Sequence, residues 1–89
     1  MKVEIPTALK PFANDNDFIE VRANTVSTML RNIELNFPDL HNRIVKDGQM
    51  NKFVNIYINS EDMRFLNGVD TKLADEDEVY IALAISGGG

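Results

Sequence analysis

One stripe of apolar residues at helical spacing, Val26, Met29, Leu30, Ile33 and Phe37, stands between segments that alternate with a period of two. Measured from Val26, the intervals are three, four, seven and eleven residues, one continuous face of a single helix. Asn24 or Thr25 can cap its start, and Pro38 ends it, because proline disfavours helical geometry at the residue before it. On the N-terminal side, Val3, Ile5 and Leu9 predict a half-buried strand over 2–9, although Pro6 gives a ladder no N–H and points to an edge or a bulge. Asn14-Asp15-Asn16-Asp17 is a turn cluster, after which Phe18–Arg22 alternates again and should pair back as a hairpin.

Beyond the helix, Leu40 and Ile44 are expected to tuck under the sheet in an irregular connection that the Asp47-Gly48 turn closes. Phe53–Ile58 is the clearest strand, with Val54, Ile56 and Ile58 on one face and Phe53, Asn55 and Tyr57 on the other. Asn59-Ser60 reads as a turn, Asp62–Leu66 as a short strand or extended piece, and Asn67-Gly68 as another turn. Leu73 packs before the acidic turn Asp75-Glu76-Asp77, and a last strand over 78–85 points Val79, Ile81, Leu83 and Ile85 inward. Two strands, one helix and three further extended pieces predict an α+β domain of β-grasp type, with a mixed sheet of four to five strands packed on one helix. Its first and last strands can lie parallel because long connections separate them. The expected organisation is one domain over 1–85 followed by a flexible glycine tail over 86–89.

That tail is the compositional oddity. Three of the five glycines in 89 residues are Gly87, Gly88 and Gly89, against a background of about 7% glycine. The rest of the composition narrows the function classes. A net charge of −5 argues against general affinity for nucleic acid, which needs Lys and Arg to displace counterions. Without Cys there is no disulfide, thiolate metal site or thiol nucleophile. The apolar runs are too short to span a membrane and the N-terminus is charged too early for a signal peptide, so a cytoplasmic protein is expected.

A C-terminal carboxylate is inert as an anion, but transfer of AMP onto it makes a mixed anhydride open to sulfide, thiol or amine nucleophiles. Glycines let such an end enter a narrow channel, and three of them reach at most about 10 Å. Other chemistry is sparse. His41, beside Asp39, lacks a second His or a Cys and reads as a structural residue, and Asp75, Glu76, Asp77 and Glu78 lack the ligand spacing of a calcium loop. No metal site and no catalytic residue are assigned. Phe53 and Tyr57, with Tyr80, Ala82 and Ala84, form an aromatic-rimmed patch if their two strands are neighbours, leading through Ser86 to the tail, and partner docking is expected there.

Ile5-Pro6-Thr7-Ala8-Leu9, Phe37-Pro38-Asp39-Leu40, Phe53–Asn59, Glu61–Leu66, Gly68-Val69-Asp70-Thr71 and the Gly-Gly end together resemble the ubiquitin-like sulfur-carrier family. That family includes the thiamin sulfur carrier and the small subunit of molybdopterin synthase, and Ile-Pro-Thr with Asp-x-Arg-Phe-Leu is most similar to its members serving cysteine biosynthesis. The resemblance implies a carrier, not an enzyme. A ubiquitin-activating-type enzyme using ATP and Mg²⁺ would adenylate the tail, and a sulfur donor would displace AMP to leave a thiocarboxylate. A cysteine-synthase-like enzyme or the large subunit of molybdopterin synthase would then accept the sulfur. The chain itself would bind no cofactor. Two departures stand out: Glu76 occupies a position where relatives carry glycine, and Gly89 is one residue more than the family's ending. Either Gly88-Gly89 is the working diglycine, or Gly89 is first trimmed, as short extensions in some relatives are, by a zinc metalloprotease related to deubiquitinases. A ubiquitin-like protein modifier, a permanent molybdopterin-synthase subunit and an interaction-only module are the alternatives.

Overall fold

Ile19, Val3, Val79 and Ile58 stand opposite one another across four strands and are all buried. They define the inner face of a five-stranded mixed sheet in the computed structural model, which describes residues 1–84. The strands are β1 (Lys2–Glu4), β2 (Phe18–Glu20), β5 (Val54–Ile58), β6 (Glu61–Asp62) and β7 (Val79–Leu83), ordered β2-β1-β7-β5-β6. As expected, β7 is parallel to β1, and every other pair is antiparallel.

Helix α1 (Val26–Asn36) covers the inner face. Thr25 caps it, its hydroxyl accepting from the Thr28 N–H at 3.1 Å, and the stripe buries Val26, Met29, Leu30 and Ile33. Phe37, the last residue of the stripe, is half-buried and has left helical geometry at φ −138° and ψ 69°, as a residue before proline tends to. Met29 and Ile33 are fully buried, as are Ile56 and Ile81 of the sheet. Each such side chain contributes about 1.5–3 kcal/mol relative to exposure.

The structure corrects the expected irregular connection after Phe37. Pro38 starts a second helix, α2 (Pro38–Ile44), while ending the first. At the first helical position its missing N–H costs nothing and its φ is already set. Leu40 and Ile44, four residues apart on one helical face, are both fully buried. A two-stranded hairpin, β3 (Val45–Lys46) and β4 (Gln49–Met50), then turns at Asp47-Gly48. Both turn residues have positive φ, 53° and 77°, which matches the twist of a two-residue hairpin. The expected strand over 2–9 is likewise shorter. It stops at Glu4, and Thr7–Ala13 winds into 3₁₀ turns that still bury Leu9 and Ala13. Pro6 has no N–H for the ladder, so pairing ends just before it.

Asn59-Ser60 is a turn, as read, and joins β5 to β6 with both residues at positive φ. Only Glu61 and Asp62 extend the sheet, since Met63–Phe65 curls into a 3₁₀ turn where an extended piece was expected. The reason is local: the Asp62 carboxylate accepts from the Arg64 backbone N–H at 2.8 Å and pulls the chain round. Glu76 lies outside the positive-φ residues, so the acidic turn accommodates a side chain there. No helix among the described residues is long and apolar enough to cross a membrane.

Candidate functional site

Register builds the outer face of the sheet as it builds the inner one. One residue along from the buried row, Phe18, Glu4, Tyr80, Tyr57 and Asp62 oppose one another in turn across β2, β1, β7, β5 and β6. Tyr57 and Tyr80 form its centre, with ring centroids 6.4 Å apart and planes tilted by 34°. This is a favourable aromatic geometry. Tyr80 is 39% exposed, which is high for a ring in the middle of a sheet.

The structure brings together five of the residues expected to form a docking patch. Ala82 opposes Asn55, next to the tyrosine pair, and the Ala84 N–H donates to the Phe53 carbonyl at 2.6 Å. Tyr57, Tyr80 and Ala82 therefore share one sheet face on two neighbouring strands, and Phe53 and Ala84 adjoin it one residue beyond the strand ends. Ile85, Ser86, Gly87, Gly88 and Gly89 lie outside the described residues.

Sequence reading missed several members of this face. Phe18 and Glu4 join it only through the β1–β2 and β1–β7 registers. Asp62 joins from the edge. Its carboxylate is buried, and Arg64 reaches it by Nε at 3.1 Å and by Nη2 at 2.6 Å, leaving most of the guanidinium side chain exposed beside the face. These hydrogen bonds from Arg64 hold the Asp62 carboxyl below the usual carboxylate value. Asp77 is also lowered, first by the Ala74 N–H and then by the Asn59 amide. Through Asn59, which also accepts from the Glu78 N–H, the acidic turn is tied to the β5–β6 corner.

An open groove of about 780 Å³ runs over Phe18, Tyr57, Tyr80 and Ala82 toward the acidic turn. No group of three or more His, Asp or Glu side chains among the described residues could hold a metal ion. His41 is half-buried on α2, its Nδ1 lacking a hydrogen bond and lying 3.9 Å from Glu34, away from the groove.

Comparisons with known proteins agree with this fold. The sulfur carrier protein CysO of Mycobacterium tuberculosis is 35% identical, the match covering 97% of this chain and 96% of that protein. A chain in the crystal structure of the Amycolatopsis orientalis BexX/CysO complex superposes with a TM-score of 0.88 at 30% identity, covering 94% of each chain. The solution structure of small archaeal modifier protein 1 from Methanosarcina acetivorans gives 0.86 at 28% identity, covering 98% of this chain and 94% of that one. The sequence profile of the ThiS family matches residues 3–88. The family profile over residues 3–88 and the 35% identity to CysO across nearly the whole of both chains make the chain a member of the ThiS family.

Proposed function

We propose that this protein is a sulfur carrier whose terminal glycine carboxylate becomes a thiocarboxylate and donates sulfur in the synthesis of cysteine or a related metabolite. The near-full-length match to the M. tuberculosis sulfur carrier CysO carries the reading. The absence of Cys is consistent with that scheme, in which the carboxylate itself carries the sulfur. A carboxylate oxygen attacks the α-phosphorus of ATP on a ubiquitin-activating-type partner that uses Mg²⁺, and pyrophosphate leaves. Hydrosulfide then attacks the acyl carbon, AMP leaves, and the thioacid ionises. The Tyr57–Tyr80 face docks on the partner while Gly87, Gly88 and Gly89 enter its site, with Ser86 at the mouth. A cysteine-synthase-like enzyme then accepts the sulfur. The chain performs no catalysis and works in the cytoplasm. The complex of BexX with CysO supports docking on a protein partner.

Incubation with the adenylating enzyme of the same organism, ATP, Mg²⁺ and sulfide should raise the intact mass by about 16 Da, one oxygen exchanged for sulfur. No gain while that enzyme consumes ATP in the presence of the carrier overturns the reading. Deleting Gly87–Gly89 should abolish the gain and leave the domain folded, and fragment masses would show whether Gly88 or Gly89 bears the sulfur. A second reading, a modifier joined to lysines by isopeptide bonds, is favoured by the likeness to the Methanosarcina modifier protein. It predicts higher-mass ladders on blots of cell lysate.

A further inference from the structure

The groove over the aromatic row has a charge pattern that selects what can enter it. Glu4, Asp75, Glu76, Asp77 and Glu78 line it, against a single cation, Lys2. Asp77 is engaged by Ala74 and Asn59, but Glu4, Asp75, Glu76 and Glu78 form no ion pair among the described residues. Glu4 stands in register between Phe18 and Tyr80, so a carboxylate interrupts the aromatic surface itself. The face already holds one cation against a ring, with the Lys2 ammonium 5.8 Å from the Phe18 centroid. Phosphate or carboxylate ligands are repelled here, and no set of donors among the described residues suits a bare metal ion. What fits is a cation with a flat or apolar body, which gains both ring contact and carboxylate pairing.

We propose that the groove receives a basic side chain, best an arginine, from an apolar surface of the protein that activates the tail. Its guanidinium lies on the Tyr80 ring and pairs with Glu4 or Glu78. The carboxylates sit where β7 begins, at the far end of the strand from the tail, so this contact fixes which way the carrier lies and aims the glycines into the partner. The inference rests on the carrier reading above.

Binding to the adenylating enzyme of the same organism would be measured by calorimetry at about 50 mM and about 300 mM salt. The subjects are the wild type, the exposed-site double variant E4Q/E78Q, and D47N, which removes a charge from the β3–β4 turn outside the groove. The double variant should bind about tenfold more weakly at low salt and show a shallower salt dependence, while D47N should match the wild type. Equal affinity of E4Q/E78Q and D47N, with wild-type binding indifferent to salt, overturns the inference. The mass assay on the same samples separates the two ideas. A wild type that gains about 16 Da keeps the carrier reading even if the groove variants bind normally, whereas no gain and no binding removes both.

Discussion

Tyr57 and Tyr80 oppose each other on antiparallel neighbours, their ring centroids 6.4 Å apart, on the face of the sheet that the helices leave uncovered. The strand carrying Tyr80 is the one that leads into the glycines, so a partner gripping this pair is positioned relative to the tail. In a double-mutant cycle with alanine at both positions, unfolding free energies should show a coupling of about 0.5–1.5 kcal/mol. Either single variant should remain folded and slow thiocarboxylate formation at least about tenfold, read by intact mass. Undiminished rates in both would remove the face from the docking scheme.

Acid sensitivity should trace to the Asp62–Arg64 pair and to Asp77. Both carboxyls are held below their usual value of 3.8 in the folded protein, so folding favours their ionised forms. The stabilisation is complete well above that value and is lost as pH falls through the lowered native values. Urea unfolding at stepped pH should show these contributions constant from about pH 7 to 5 and declining below about 4. Asp62→Asn should flatten that decline, and an unchanged acid slope would count against the assignment.

Ile33 lies fully buried in the middle of the α1 stripe, where it packs in the core that includes Ile56 and Ile81. Replacement by alanine should cost about 2–5 kcal/mol through lost transfer energy and a residual cavity. The midpoint of urea unfolding would fall with little change in slope.

Glu76 offers a test of the acidic turn. Its φ is not positive, so the turn has no steric need for glycine there. Glu76→Gly should therefore lower stability by about 0.5–1 kcal/mol, by loosening the unfolded chain without relieving strain. A rise in melting temperature would show instead that the side chain strains the turn.

Much of this architecture was legible in the sequence because long periodic segments state their own geometry. The stripe from Val26 to Ile33 and the alternation of Val54, Ile56 and Ile58 depend on nearest neighbours along the chain, and both bury the expected faces. Short elements were less legible. Seven residues give α2 a single i, i+4 pair, Leu40 and Ile44, which reads equally as a loop that happens to be apolar. Two-residue strands such as β3 and β4 have no period at all.

Fold class, family resemblance, the absence of any thiol and the glycine run after the last strand can all be read from the amino-acid order alone. What surrounds the tyrosines depends instead on strand pairing in the folded chain. Phe18, Glu4, Tyr80, Tyr57 and Asp62 are distant in the chain and meet because five strands align in one register. A shift of one residue in any pairing would send that strand's side chains to the opposite face. Pairing is settled by burying Val3, Ile58 and Val79 beneath the helices, so the core that stabilises the domain also composes its outer, acidic and aromatic face.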